Sequence, residues 1–167
     1  MAHIEGRCLC GGVRYSADAD PAFVGVCHCG DCQRFTGSAF ATVVAVPSSA
    51  LRVTETLKTF TKRGDSGKLI HRRFCSECGS GIADEADALP GIAMVNTGTL
   101  NDRSWVMPQS EIYCDSAQPW MHLGGELKRF AKTGRPESYS GSCLAMNGRR
   151  RVDIPAPPVA AHGRSHT

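Results

Sequence analysis

Short apolar runs broken every few residues by Gly, Pro, Asp or Ser dominate the chain, and they predict strands over residues 12–17, 23–27, 39–46, 51–54, 57–62, 68–74, 91–95 and 111–114. Residues 42–46 (Thr-Val-Val-Ala-Val) are apolar on both faces and predict a buried central strand, whereas residues 57–62 alternate and predict a half-exposed one. Helical signal is confined to one or two turns, near 31–35 and 100–103. The predicted fold class is therefore mainly β, with irregular loops.

Cysteine-bearing turns followed by glycine recur at Cys10-Gly11, Cys29-Gly30 and Cys78-Gly79. A turn that presents two thiolates to one ion needs a residue tolerant of unusual backbone angles, and its amides can then donate to the sulfurs. From Gly148 onward the chain changes to three successive arginines and then to Pro155, Pro157 and Pro158 among small residues. The expectation is one domain over residues 1–147 and a disordered basic, proline-rich tail over 148–167.

A chain of 167 residues with 41% hydrophobic and 21% charged positions has the balance of a folded globular domain. The net charge of +3 resides in the tail, since residues 1–148 carry fifteen basic and fifteen acidic side chains. A neutral body lacks the footprint that phosphate-backbone binding uses, which argues against nucleic acid as the partner. The N-terminal residues lack the pattern of a signal peptide, and no apolar stretch reaches bilayer-spanning length, so the expected location is cytoplasmic. Nine cysteines in a reducing compartment point to metal ligation rather than disulfides.

The spacing divides those cysteines into two kinds of cluster. Cys8-Leu9-Cys10 and Cys75-Ser76-Glu77-Cys78 are close pairs beside predicted strands, and two such pairs close a tetrahedral four-cysteine zinc site. Cys27-His28-Cys29-Gly30-Asp31-Cys32 places three cysteines in one short loop, enough for three corners of a second site. Its fourth corner is either open, as at catalytic zinc, or closed by Cys114, Cys143 or His28. Three thiolates on a divalent ion carry a net charge of about −1, which makes the ion a poor activator of water and suits it to a soft incoming thiolate. A fourth thiolate takes the charge to about −2, so a basic neighbour would help. Arg34 is the nearest in sequence, although a solvated surface arginine reads the same way.

With these motifs the chain resembles the glutathione-dependent formaldehyde-activating enzyme family, also known through centromere protein V. The matching text is residues 6–15 (Gly-Arg-Cys-Leu-Cys-Gly-Gly-Val-Arg-Tyr), 27–33 with Gly37-Ser38, and 74–80, with later echoes at 96–100, 111–116 and Pro119-Trp120. The resemblance implies an Mss4-like β-tent fold of antiparallel sheets and two zinc ions, a structural one at Cys8, Cys10, Cys75 and Cys78 and a second at Cys27, Cys29 and Cys32. It also implies a carbon–sulfur lyase activity in which glutathione and formaldehyde combine to S-(hydroxymethyl)glutathione. Two alternatives stand beside it: a glutathione-independent hydrolase or ring-opening enzyme of the same fold, and a non-catalytic zinc module that binds a partner through its basic tail. The chain departs from the family pattern at Cys114, which adds a fourth ligand candidate, and at Gln33, where relatives often carry a basic residue. Trp120 either walls the pocket over the second ion or is a core or edge aromatic. Glu111, Asp115, His71 and His28 are the general acid–base candidates.

Overall fold

The computed structural model describes residues 2–133; Cys143 and the segment 148–167 lie outside the described residues. Among the described residues eleven strands form two sheets. The small sheet has the order β1(His3–Arg7), β2(Arg14–Asp18), β5(Leu51–Val53) and is antiparallel throughout. The large sheet runs β11(Lys128–Arg129), β10(Ser110–Ile112), β3(Phe23–Cys27), β4(Ala41–Pro47), β9(Ile92–Asn96), β8(Gly81–Ala86), β7(Leu69–Phe74), β6(Lys58–Arg63). Among the described strands only β10 pairs in parallel, with β3 on one side and β11 on the other.

Alternation explains why these segments pair as they do. In β1, Ile4 and Gly6 turn inward while His3, Glu5 and Arg7 stay exposed, and in β2 Tyr15 and Ala17 do the same. Those inward residues pack against Val24, Val44, Val46, Ile82, Ala93 and Val95 of the large sheet, so the core lies between the two sheets. β4 sits mid-sheet between β3 and β9, and Val44, Ala45 and Val46 are fully buried, as the two-sided apolar run predicts. Among the described residues no helix is long and apolar enough to cross a membrane.

Four expectations are corrected. β1 and β8 carry no conspicuous apolar run, yet both are strands, and the sequence Gly-Ile-Ala-Asp-Glu-Ala of β8 is an interior strand between β7 and β9. Tertiary pairing there overrides weak β propensity. The strand predicted for 57–62 is the sheet edge, exposed on nearly every residue, and its apolar anchor Leu57 is buried just ahead of it. The turn expected at 100–103 is a 3-10 turn at Thr97–Thr99, after which Leu100 enters the core. The strand expected to reach Cys114 ends at Ile112, because Tyr113 adopts a left-handed backbone (φ 57°) and turns the chain into a second 3-10 turn, Cys114–Ser116.

The one α-helix among the described residues, α1(Gly30–Thr36), has the limits its sequence sets. Cys29 is its N-cap, its sulfur accepting from the backbone N–H of Cys32 at 3.4 Å, and Gly37 ends it in the left-handed conformation, donating to the Gln33 carbonyl. Lys62 of β6 holds Asp31 in its first turn at 2.6 Å, which ties the helix to the sheet edge.

Candidate metal centres

Two turns, one from each sheet, build the first centre. Cys8 and Cys10 sit on the β1–β2 turn, Cys75 and Cys78 on the β7–β8 turn, and their four sulfurs all lie within 4.8 Å of one another. Cys8 Sγ is 3.3 Å from Cys10 Sγ, and Cys10 Sγ is 3.9 Å from Cys75 Sγ. A tetrahedral ion with metal–sulfur bonds of about 2.3 Å sets sulfur–sulfur edges of roughly 3.8 Å, so the four donors fit one such ion. Gly11 (φ 76°) and Gly79 (φ 72°) supply the left-handed positions that these turns need. Gly30 does not, for it opens α1 instead.

Backbone and hydroxyl donors converge on these sulfurs. Val13 N–H donates to Cys8 Sγ at 3.2 Å, and Ser80 Oγ stands 3.2 Å from Cys78 Sγ. Hydrogen bonds from Ser80 and from the Cys10 and Ser80 amides pull Cys78 down to about 5. Cys10 is driven up to about 12: the Gly12 amide favours its thiolate, but the Cys8 and Cys78 sulfurs outweigh it. Crowded sulfurs that cannot all ionise alone are what a cation at their centre relieves.

The second centre straddles a strand end and a helix start. Cys27 closes β3, Cys29 caps α1 and Cys32 lies in its first turn, with the three sulfurs again within 4.8 Å. The thiols of Cys27 and Cys32 donate to Cys29 and pull it down to about 2, while Cys27 itself is pushed up by those same bonds and by burial. Cys32 rises to about 11, the Cys29 thiolate and burial overcoming the opposing pull of Cys27.

A buried guanidinium faces this trio. Arg72 of β7 donates through Nη1 to Asp84 Oδ2 at 2.7 Å, its partner directly across the β7–β8 ladder, and through Nη2 to Cys32 Sγ at 3.7 Å. Its charged end lies 4.8 Å from the centre of the Phe35 ring of α1. Burial opposes the Arg72 charge, but Asp84 and the Cys32 and Cys29 sulfurs more than restore it. Burial pushes the Asp84 carboxyl up to about 6 against the pull of Arg72, and its Oδ1 has no hydrogen-bond partner.

The remaining sequence candidates fall into place around this core. Arg34 is exposed and curls back toward Gly30, so the guanidinium against the sulfurs is that of Arg72. Cys114 lies outside the trio, its Sγ 3.7 Å from the Glu111 carbonyl. His28 points away from Cys27 and Cys29 into the protein, where Nε2 donates to Glu111 Oε2 at 3.0 Å and Nδ1 has no partner. Glu111 also accepts from Arg129 Nε at 3.2 Å, and Arg129 donates in turn to the Leu123 carbonyl, so this buried network braces β10 and β11. Asp115 pairs with Lys132 at 2.6 Å, and His71 contacts Thr61 and Asp87 at the surface. Gln33 donates to the His28 and Ser116 carbonyls at 2.6 and 3.0 Å and accepts from Gln118 at 2.9 Å, docking the 114–118 segment on α1. Trp120, two residues farther on, is 66% exposed. Tyr113 lies within electrostatic reach of Cys29 and Cys27; burial pushes its phenol up to about 12, with Asp65 and those sulfurs adding to the rise.

The model of the glutathione-dependent formaldehyde-activating enzyme family matches residues 3–116. The chain belongs to that family. The match takes in all seven cysteines of the two clusters. A solved structure of a Rhodobacter sphaeroides protein from a structural genomics programme is also similar, with 25% identity, coverage of 58% of this chain and 87% of that one, and a TM-score of 0.48. No curated protein matches the chain.

Sequence reasoning missed Arg72 and Asp84. Arg72 sits in a His-Arg-Arg run that reads as surface, and only its parity with Ile70 and Phe74 along a two-residue period marks it as inward. Asp84 lies in a strand that was not predicted at all.

Proposed function

We propose that the chain is a two-zinc carbon–sulfur lyase-type enzyme that joins a thiol, glutathione, to a small aldehyde such as formaldehyde. The observation that carries this reading is the asymmetry of the two centres: four sulfurs converge at one and three at the other, with Cys114 outside the trio. Zinc is the ion of choice for both sets, because thiolate-rich tetrahedral sites select it and no redox change is called for. A zinc ion at Cys27, Cys29 and Cys32 would supply an open position that holds a thiol as its thiolate near neutral pH. The four-cysteine centre at Cys8, Cys10, Cys75 and Cys78 takes the structural role.

The reaction needs no oxidant. The sulfur lone pair forms the S–C bond, the C=O π pair moves onto oxygen, and the proton lost by the thiol ends on that oxygen. The chain supplies position. α1 carries Cys29 and Cys32 at one end, and Phe35 and Thr36 at its other end line a cleft of about 380 Å³. Thr42, Asn96 and Thr99 also line it, together with Cys78 and Ser80 beside the four-cysteine centre, while none of the three cysteines of the second centre does. We assign residues 1–147 to this zinc-binding domain and place the protein in the reducing cytoplasm, where cysteine thiolates are kept available as metal ligands.

The addition also runs without an enzyme, so the test is a rate and not an end point. Magnetization-transfer NMR of formaldehyde and glutathione at equilibrium should show protein-dependent exchange into S-(hydroxymethyl)glutathione. Cys29→Ser should abolish it while the fold and one metal ion remain; equal exchange in both proteins would refute the proposal.

A further inference from the structure

We propose that Arg72 is the positioning residue that makes the three-cysteine centre accept a fourth, external thiolate, and that Asp84 sets how strongly it does so. The inference rests on the thiol-binding reading above and extends it to the residue that balances charge.

Three thiolates around a divalent ion carry about −1, and an incoming thiolate raises this to about −2, in a site whose sulfurs are half-buried. Repulsion of that second negative charge is the main obstacle to occupying the open position with sulfur. Arg72 is built to lower it. Arg72 is 4% exposed, and its guanidinium keeps its charge at all accessible pH and reaches Cys32 Sγ through Nη2. Three contacts hold it: Asp84 Oδ2 on Nη1, the Phe35 ring near its charged end, and Cys32 itself. Because Phe35 and Cys32 are one turn apart on α1, the same short helix presents a ligand and packs near the cation.

Asp84 acts in the opposite sense. It fixes the orientation of Arg72, but its negative charge offsets part of the Arg72 field at the sulfurs. An asparagine there keeps an oxygen for Nη1 and removes that charge. The two residues therefore predict effects of opposite sign on thiolate binding.

The experiment is isothermal titration calorimetry of zinc-loaded protein with glutathione and, separately, with 2-mercaptoethanol, whose body carries no charge. Wild type, Arg72→Gln, Arg72→Lys and Asp84→Asn are compared, each checked for two zinc ions per chain. Arg72→Gln should weaken both thiols about tenfold or more, Arg72→Lys should recover most of that loss, and Asp84→Asn should tighten both about threefold. A purely structural role would lower melting temperature and leave the thiol affinity of loaded molecules unchanged. Unchanged affinity in Arg72→Gln, or weaker binding in Asp84→Asn, overturns the proposal. If Arg72→Gln does not fold, the sign of the Asp84→Asn change decides alone. If wild type binds neither thiol, the thiol-transfer reading fails and this inference with it; wild-type binding that Arg72 does not influence defeats this inference only.

Discussion

The sulfurs of Cys10 and Cys75 lie 3.9 Å apart although 65 positions of sequence separate them. Cys10 belongs to the turn of the small sheet and Cys75 to a turn of the large one, so the four-cysteine centre staples the two sheets at one end of the shared core. Metal at this place closes a long loop in the folded state, and its binding energy becomes folding energy.

Removing that staple should therefore destabilise the whole fold rather than merely inactivate the protein. Cys75→Ser should cost about 3 kcal/mol or more and lower the melting temperature by roughly 10 °C. Differential scanning calorimetry of wild type and variant, with and without a strong chelator, checks this; a chelator that does not move the wild-type transition would contradict it.

Cys29→Ser should behave differently. It removes the N-cap sulfur of α1 and one donor of the trio, but no link between sheets. The expected outcome is a fold that survives with a loss of about 1 kcal/mol from the cap and one bound zinc in place of two. Cys114→Ala, by contrast, should leave both ions in place. Atomic absorption on gel-filtered protein reads both stoichiometries.

The His28–Glu111–Arg129 network is buried, and Glu111 is its only acid. Glu111→Ala strips the partner from an inward histidine and a half-buried arginine, and should destabilise by about 3 kcal/mol in denaturant unfolding. A loss below about 0.5 kcal/mol would mean that the network is not formed in solution.

Tyr15 offers a test in alkaline solution. Burial pushes its phenol up to about 12 from an ordinary value of 10, while the bond to Thr99 pulls weakly the other way. The folded state thus prefers the neutral phenol, and the resulting stability is present below pH 10 and lost as pH rises toward 12. Tyr15→Phe should be about 1 kcal/mol less stable than wild type at pH 8, through the lost Thr99 bond, and the gap should close or reverse by pH 11. A gap independent of pH would contradict the burial of Tyr15.

The assignment of seven cysteines to two clusters was legible because metal coordination imposes short, local spacings that survive in sequence. Strands such as β3 and β4 were legible for a similar reason, since their apolar pattern is dictated by burial at the sheet centre. What remained hidden depends on pairing partners far along the chain. β8 is a strand only because β7 and β9 flank it, and Asp84 matters only because register sets it opposite Arg72. Arg34 illustrates the limit of proximity in sequence: it follows the cluster directly yet lies on the outer face of α1, while Arg72, forty positions away from Cys32, touches its sulfur.

The central claim is that the three-cysteine centre has a corner free for an external thiol. The absorption spectrum of the cobalt-substituted protein tests it most directly, because d–d band position and intensity report how many sulfurs surround each ion. With both sites filled, the account predicts one four-sulfur spectrum and one with three sulfurs, the latter shifting toward four when glutathione is added. Two four-sulfur spectra that glutathione leaves unchanged would show the second centre already closed, and the thiol-transfer function would fall.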